Sequence, residues 1–254
     1  MDFLSKQFSS SLNLQDHCPA SEEHEVACQD CGLDPICDEL DYAEPESGVP
    51  EGILLRRRSI ERGETLFRAE DPFHSIFAVK SGSFKTQIST TGGSNTVIGF
   101  HLPGELIGTE AYSDRKYTST ARALENSSVC ELRIDRLPES RRPLQNLQRA
   151  IIELLSQDIA AVRSINAELI RQGANQRVAA FLLGFVHRLE SRGMPSNEFR
   201  LTMSRRDIAS YLGLASETVS RIMTRFNKEG LINTRGKRTR VIDLKHLQEI
   251  AENA

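Results

Sequence analysis

The amino-acid sequence predicts an α+β protein built from an N-terminal β-barrel, a long helix and a C-terminal helix-turn-helix. Between residue 53 and about residue 137, short alternating segments such as SIFAVKSGSFKTQIST are separated by glycine-containing turns, which is typical of a compact barrel or sandwich. From residue 143 to about residue 172, apolar residues recur at helical spacing without glycine or internal proline. Three more helical patterns and a short basic hairpin follow residue 173.

These sequence patterns divide the 254 residues into four segments. Residues 1–50 are acidic and end in the breaker-rich AEPESGVP, so we expect loops and short helices wrapped on the body. The barrel is predicted at 51–142, the long helix at 143–172 and the helix-turn-helix domain at 173–254. The first residues show no basic region followed by an apolar run, and no apolar stretch reaches about 18 residues. We therefore expect a soluble, cytoplasmic protein with no membrane partner.

The long helix carries a repeat with alternating spacings of three and four residues. Its members are Ile152, Leu155, Ile159, Val162, Asn166 and Leu169. Such a repeat predicts a heptad seam along which two helices pack. The same periodicity would arise if one helix packed on its own domain, so periodicity alone leaves both possibilities open.

The segment LTMSRRDIASYLGLASETVSRIMTRFNKEGLI predicts two helices joined by a tight turn. Ser204 and Asp207 resemble a capping box at the start of a helix that ends before Gly213, where the chain turns. Ser216 is expected to cap the second helix, which covers residues 217–227.

The second helix of this pair has an apolar face and a polar face. The apolar face consists of Val219, Ile222, Met223 and Phe226, and the polar face of Glu217, Ser220, Arg221 and Arg225. Glu, Ser and Arg near the start of a helix are residue types that read base edges in the major groove of DNA. We therefore predict base reading by Glu217, Ser220 and Arg221.

Charge is unevenly distributed along the chain, although the net charge is only −3. Residues 1–51 carry one basic side chain against thirteen acidic ones, whereas residues 200–240 carry ten Lys and Arg against three acidic residues. Such a basic segment indicates a domain that meets a polyanion. Its hairpin TRGKRTRV resembles a wing that grips phosphate. Phosphate contacts are predicted for Arg225, Arg235, Lys237, Arg238 and Arg240.

Three of the five cysteines form the motif C-x2-C-x5-C within ACQDCGLDPIC, as Cys28, Cys31 and Cys37. In a reducing compartment, clustered thiols more often bind metal or perform redox chemistry than form structural disulfides. Cys130, in the predicted strand SVCELRI, is the candidate for a fourth ligand, although it could also be a core hydrophobe or a redox partner. The spacing permits either zinc or an iron–sulfur cluster. The acidic neighbours of the motif disfavour a catalytic thiolate.

The order of these parts resembles the CRP/FNR superfamily of bacterial transcription regulators from residue 53 onward. RGETLFRAEDPFHSIFAVKSGSFK and the helix-turn-helix segment carry the resemblance, while ETVSR and GFHLPGELIG are similar to the oxygen-responsive FNR branch. The resemblance implies a cyclic-nucleotide-binding-like jelly-roll barrel, a dimerisation helix and a winged helix-turn-helix. It also implies a homodimer on a palindromic TTGAT…ATCAA-type site, with RNA polymerase as a further partner. Glu217, Ser220 and Arg221 match the family's base-reading positions.

The same resemblance implies a [4Fe–4S] cluster held by Cys28, Cys31, Cys37 and Cys130, whereas Cys18 falls outside the pattern. Cyclic nucleotide is not expected, because Tyr117 stands where nucleotide-binding relatives carry a phosphate-binding Arg. Two alternatives stay open. The cysteines could bind zinc or sense oxidants without a cluster, or the chain could be a thiol oxidoreductase with a DNA-binding tail. No Ser/His/Asp grouping, glycine-rich phosphate loop or catalytic carboxylate pair in the sequence supports an enzyme.

Val162 departs from this resemblance. Regulators of the FNR branch can carry an acidic residue at the matching seam position, where a two-fold axis brings two like charges together. The valine predicts a cluster-free form that dimerises more readily than an acidic-seam relative.

Overall fold

The computed structural model describes residues 25–34, 37, 53–90, 93, 95–136, 152, 156, 159 and 173–252. Within these residues, two four-stranded antiparallel sheets enclose the apolar core of the N-terminal barrel. The strands are β1 (Leu54–Ile60), β2 (Thr65–Phe67), β3 (Ser75–Ser81), β4 (Phe84–Ser89), β5 (Asn95–His101), β6 (Leu106–Ile107), β7 (Thr120–Ala123) and β8 (Ser127–Arg133). One sheet has the order β1-β8-β3-β6 and the other β2-β7-β4-β5.

Strand β3 is buried along almost its whole length, whereas exposure along β4 alternates between neighbouring residues. A strand that is covered on both faces reads as a continuous apolar run, and β3 contains the run IFAV at residues 76–79. In the register of β3 and β8, Ala78 lies opposite Cys130, and Phe77 lies opposite Glu131. Because successive side chains point to opposite faces, Ala78 and Cys130 share one face of this sheet.

The C-terminal domain combines helices with a small sheet. Its helices are α1 (Ala174–Glu190), α2 (Arg205–Leu212), α3 (Ser216–Lys228) and α4 (Leu244–Glu252). Its strands β9 (Glu198–Arg200), β10 (Ile232–Arg235) and β11 (Arg238–Val241) form a sheet in the order β10-β11-β9. Apolar faces of the helices meet in one core that includes Phe185 and Phe226.

Strand β5 of the barrel joins the core of the C-terminal domain. Val97, Phe100 and Leu102 are buried in the same apolar cluster as residues of α1 and α2. Polar contacts border this cluster: Lys85 Nζ donates to Asp207 Oδ1 at 2.6 Å, and the Val97 backbone N–H donates to a serine hydroxyl of α2 at 3.0 Å. The barrel and the C-terminal domain are therefore packed against each other.

Part of the predicted long helix is described. Ile152, Ser156 and Ile159 are helical, and the two isoleucines are 63% and 53% exposed. The remaining predicted seam positions, Leu155, Val162, Asn166 and Leu169, lie outside the described residues. The strands and helices described above confirm the α+β fold class. The dimer seam stays a prediction. In the part of the chain that the structure describes, no helix is long and apolar enough to cross a membrane.

Candidate DNA-reading surface and cysteine site

Helices α2 and α3 and the turn between them form the predicted motif. At the start of α2, the Asp207 backbone N–H donates to Ser204 Oγ at 3.1 Å, and the Ser204 N–H donates to Asp207 Oδ2 at 3.1 Å. The predicted capping box is therefore confirmed. Gly213 follows α2 in the left-handed conformation, with φ 64° and ψ 39°, which a residue without a Cβ adopts readily.

Helix α3 begins earlier than the sequence pattern suggests. The prediction that Ser216 caps this helix is wrong, because Ala215 has the extended N-cap backbone (φ −74°, ψ 145°) and Ser216 is already helical. The Ser216 hydroxyl instead donates to Glu217 Oε1 at 3.2 Å. The pKa of Glu217 is lowered, first by its own backbone N–H and then by the Ser216 hydroxyl. Glu217 is therefore an anionic hydrogen-bond acceptor at the exposed start of α3.

The two predicted faces of α3 are confirmed. Its buried residues are Val219, Ile222, Met223 and Phe226, and its exposed residues include Glu217, Ser220, Arg221 and Arg225. Ser220 Oγ donates to the backbone carbonyl one turn earlier at 2.8 Å, and Arg221 Nη2 donates to Thr218 Oγ1 at 3.4 Å. The first two turns of α3 thus present a carboxylate, a hydroxyl and a guanidinium, the groups that read base edges in the major groove.

Strands β10 and β11 form the basic hairpin that the sequence predicts as a wing. They pair around Gly236, with Arg235 opposite Arg238. Arg235, Arg238 and Arg240 are exposed, while Lys237 is partly buried. The Thr234 backbone N–H donates to Asn227 Oδ1 at 2.9 Å, which ties the hairpin to the end of α3. This hydrogen bond joins the basic hairpin directly to α3.

The N-terminal cysteine loop, defined as residues 25–34, lies on the barrel. The Val26 backbone N–H donates to Lys80 O at 3.1 Å, and the Gly32 N–H donates to Gly104 O at 2.9 Å. Leu33 is fully buried in the barrel core. These contacts fix the loop at both ends, against β3 and against the segment before β6.

The structure brings the four predicted ligand cysteines into one region. Cys130 is 9% exposed in β8, and Cys31 and Cys37 pack against the core cluster that contains it. Cys28 begins a short 3-10 turn, and the Cys31 backbone N–H donates to Cys28 O at 3.0 Å. All four residues carry thiols rather than disulfides. Cys18, which the prediction excludes, lies outside the described residues.

Burial raises the pKa of the Cys31 thiol to about 11. This value includes the opposing effects of the Leu33 backbone and the Lys80 ammonium, which lower the pKa, and of the Cys130 and Cys28 thiols, which raise it. Thiolates in such a group repel one another, and a bound metal allows them to ionise together. The thiols therefore suit a positively charged, thiophilic partner.

The donor set fits the predicted cluster by its chemistry and its location. Sulfur ligands suit both zinc and iron–sulfur centres. Within the described ranges, no three His, Cys, Asp or Glu side chains form a metal-binding group. The cysteines are thus gathered in one region without a finished coordination geometry, and the identity of the bound group stays a prediction.

Lys80 is a candidate site residue that the sequence pattern leaves unmarked. It is buried at the end of β3, where its Nζ donates to Val26 O and to Cys28 Sγ, the latter at 3.7 Å. The signal that could have identified it is one charged residue in the otherwise apolar run of a strand covered on both faces.

Glu105 joins the barrel to α1. Arg188 Nε donates to Glu105 Oε1 at 2.7 Å, Arg188 Nη2 also contacts Glu105 Oε2, and Arg192 Nη1 lies 3.6 Å from Oε1. Burial by itself raises the pKa of Glu105, but the charge and hydrogen bonds of Arg188 and the charge of Arg192 hold it at about 2. The carboxylate therefore stays ionised. Its neighbour Gly104 accepts the hydrogen bond from the cysteine loop.

Aromatic rings fill the barrel around Tyr117. Its ring stacks on Phe67 with centroids 3.8 Å apart and meets the edge of Phe73 at 5.6 Å. Tyr117 Oη donates to Ser75 O at 2.7 Å, and burial raises the Tyr117 pKa to about 12. This position therefore supplies a neutral hydroxyl that is engaged with the backbone, where a phosphate ligand would need a cation. That no cyclic nucleotide binds stays a prediction.

Both domains match known families. Residues 57–139 match the model of the cyclic nucleotide-binding domain, and residues 176–250 match that of the Crp-like helix-turn-helix domain. The fold and the exposed face of α3 therefore define a class of DNA-binding proteins in which a helix-turn-helix is joined to a barrel of the cyclic-nucleotide-binding type.

Relatives identify the family more closely. Transcriptional activator protein FnrA of Stutzerimonas stutzeri is 40% identical over 221 residues, which cover 87% of this chain and 91% of that protein. Transcriptional activator protein anr of Pseudomonas aeruginosa is 41% identical over 216 residues, or 85% and 88% of the two chains. The solved structure of FixK2 from Bradyrhizobium japonicum has a TM-score of 0.69 at 26% identity and covers 78% of this chain and 98% of its own. The chain belongs to the CRP/FNR family of DNA-binding transcription regulators.

This family membership decides between the classes that the sequence left open. The relatives are transcription regulators and not enzymes, so the thiol oxidoreductase alternative is set aside. The predicted fold class, a cyclic-nucleotide-binding-type barrel with a winged helix-turn-helix, is confirmed.

Proposed function

We propose that this chain is an oxygen-responsive transcription regulator that holds a [4Fe–4S] cluster and controls anaerobic gene expression. As a cytoplasmic homodimer it binds a palindromic TTGAT…ATCAA-type DNA site and acts on RNA polymerase. Cys28, Cys31, Cys37 and Cys130 are the cluster ligands. The observation that carries the proposal is the position of the cysteine loop, which packs on the barrel core that contains Cys130.

The chain's contribution to the cysteine site is to gather four thiols and shield them. A bound cluster would supply a redox-active, oxygen-labile centre. Ligation would remove the proton of Cys31, whose burial otherwise keeps this thiol neutral, and the bound metal would offset the repulsion between the thiolates. The backbone contacts of Val26 and Gly32 hold the loop against the barrel.

One route of described contacts and one predicted route connect this site to the C-terminal domain. The cysteine loop contacts Gly104, and the adjacent Glu105 binds Arg188 and Arg192 on the C-terminal domain. The barrel also continues into the long predicted helix at 143–172. In the proposed mechanism, the loaded site favours the DNA-binding dimer. Cys28, Cys31 and Cys37 would tie the cysteine loop to Cys130 through the oxygen-labile centre, and damage to that centre by oxygen would alter this tie and weaken dimerisation.

DNA recognition rests on α3 and the wing. Glu217, Ser220 and Arg221 read base edges from the first turns of α3, while Arg225 and the hairpin cations contact phosphate. A two-fold symmetric dimer places two such helices on successive major grooves, which requires a palindromic site.

The test begins with protein purified without air. We expect a brown protein with broad absorption at roughly 400 nm, iron and sulfide in equal amounts, and tight binding to a TTGAT…ATCAA duplex. Admission of air should bleach the colour and weaken DNA binding in the same sample. Sedimentation before and after air measures the change in dimerisation.

The same preparation separates the proposal from its nearest alternative. Colourless protein with stoichiometric zinc would contradict the iron–sulfur proposal and favour a regulator that uses its cysteines for zinc. Colourless, metal-free protein whose DNA binding responds to an oxidant and a thiol reductant would favour disulfide sensing. In both cases the DNA-binding role of α3 would stand.

A further inference from the structure

Lys80 is buried to an extent that is unusual for a lysine. Its exposed fraction is 3%, and it lies at the end of β3 in a strand whose other residues are nearly all buried. Lysine is almost never fully buried unless its ammonium is paired, because removing that charge from water is costly. The surroundings of Nζ therefore indicate what the charge is used for.

The contacts of Nζ place the Lys80 ammonium beside a predicted ligand cysteine. Ala78 lies opposite Cys130, and the pairing of β3 with β8 shifts register between Val79 and Ser81, so Lys80 lies at an irregularity of the strand. Lys80 Nζ donates to Val26 O and to Cys28 Sγ, which is 3.7 Å away.

The four cysteines would bind a cluster as thiolates, which together carry four negative charges. Hydrogen bonds to the sulfur atoms and the local charge are among the features that tune such centres. We propose that Lys80 is a positioning residue for the cluster, whose ammonium donates a hydrogen bond to the Cys28 thiolate and offsets the charge of the four ligands. This inference rests on the proposed iron–sulfur function and adds a group that is not itself a ligand.

The experiment compares four proteins loaded with the cluster without air: the wild type, Lys80→Met, Lys80→Arg and Lys85→Met. Methionine keeps the length of the side chain and removes its charge, whereas arginine keeps the charge and the donor. Lys85→Met is the matched control, because Lys85 lies on the other sheet and pairs with Asp207 of the C-terminal domain. Lys80→Gln addresses the same question if Lys80→Met does not fold.

The measurements are the rate of iron release to an excess of an iron(II) chelator without air, and the iron–sulfur stretching frequencies in the resonance Raman spectrum. Losing a hydrogen bond to a charged group is expected to speed iron release by at least about tenfold in Lys80→Met. Its cysteine-sulfur stretching bands should shift. Lys80→Arg and Lys85→Met should stay within about threefold of the wild-type rate. Thermal unfolding of the cluster-free proteins records any effect on folding alone.

The outcomes separate the two proposals. A wild type without iron and sulfide would overturn the iron–sulfur function and, with it, the role of Lys80. A wild type with the cluster and a Lys80→Met variant with the same release rate and the same Raman bands would overturn the role of Lys80 alone. If Lys80→Met changed only the unfolding temperature of the cluster-free protein, Lys80 would be a structural residue that holds Val26, and the inference would be wrong.

Discussion

Cys130 occupies an inner position of β8, where a lone buried cysteine commonly acts as a small core hydrophobe. Three features of its surroundings distinguish it from that role. Cys31 and Cys37 pack on the same core, and the pKa of Cys31 responds to the Cys130 thiol. The residue across the strand pair is Ala78, a small side chain that is fully buried.

Single serine substitutions test the ligand set. Each of Cys28→Ser, Cys31→Ser, Cys37→Ser and Cys130→Ser is expected to abolish iron retention, because a hydroxyl replaces a soft thiolate poorly. Cys18→Ser is expected to retain iron. Iron analysis of the five variants, purified without air, measures this. Loss of iron in Cys18→Ser together with retention in Cys28→Ser would show that the ligands are assigned wrongly.

Glu105 is the residue through which pH is expected to change the free energy of unfolding. Its pKa lies below its ordinary value of 4.5, at about 2, so its stabilising effect is present above pH 4.5 and is lost as the pH falls toward 2. Glu105→Gln is expected to lower the free energy of unfolding by about 2–3 kcal/mol at pH 7, since it leaves Arg188 without its carboxylate. Chemical denaturation of the cluster-free protein at a series of pH values measures the difference.

The difference between wild type and Glu105→Gln should shrink between pH 4.5 and pH 2, because the wild-type carboxylate becomes protonated there. Glu70→Gln provides the control. Glu70 lies 3.4 Å from Lys116 in an exposed pair, and its loss should change stability little at any pH. If Glu105→Gln lowers the free energy of unfolding equally from pH 7 to pH 2, the ionised carboxylate does not stabilise the contact between the barrel and α1.

At the scale of elements, α3 and the wing divide DNA binding into two kinds of contact. Arg221 lies on the exposed face of α3, and Arg238 lies on β11 with 75% of its side chain exposed. Arg221→Ala is expected to reduce the free energy of DNA binding by about 1–3 kcal/mol and to relax the sequence preference at one base pair. Arg238→Ala should weaken binding to all DNA sequences alike. It should also reduce the slope of log K against log salt concentration by about one.

Binding to a set of single-base operator variants at several salt concentrations distinguishes these effects. Arg122→Ala, on β7 of the barrel, is a control for removing an arginine away from the reading surface. If Arg221→Ala keeps the full base preference of the wild type, Arg221 does not read a base. If Arg238→Ala changes the preferred sequence, the hairpin contributes more than phosphate contact.

At the scale of the whole molecule, Val162 should set how completely oxygen switches the protein off. Two valines facing each other across a dimer axis would bury apolar area worth on the order of 1–3 kcal/mol, whereas acidic residues would repel. We therefore expect the cluster-free form to dimerise partly and to retain some DNA binding in air. Asp158, a neighbour in the sequence, can offset part of this if it turns inward.

Sedimentation of air-treated wild type and Val162→Asp at micromolar concentration checks this expectation. The wild type should sediment at least partly as a dimer, and Val162→Asp as a monomer with weaker operator binding. Should both proteins be monomers with equal loss of operator binding, Val162 does not bias the dimer. The seam assigned from Ile152 to Leu169 would then be in the wrong register.

Local chemistry made the helix-turn-helix predictable. The Ser204 and Asp207 capping box, the left-handed Gly213 and the two faces of α3 each depend on residues within a few positions of one another. The prediction for the start of α3 is wrong at Ser216, because a serine at the start of a helix satisfies the capping pattern whether its backbone is extended or already helical. Only the backbone angles of Ala215 decide that position.

The sequence by itself determined the class of this protein: strand alternation, helical periodicity, the cysteine spacing and the residue types on α3 all act over short stretches of chain. Tertiary structure decided which distant residues meet. Glu105 and Arg188 are 83 residues apart, and Lys80 and Cys28 are 52 apart, yet each pair is in contact. No periodicity encodes such pairs, because they arise when two elements bury their apolar faces together and enclosed charges must then find partners.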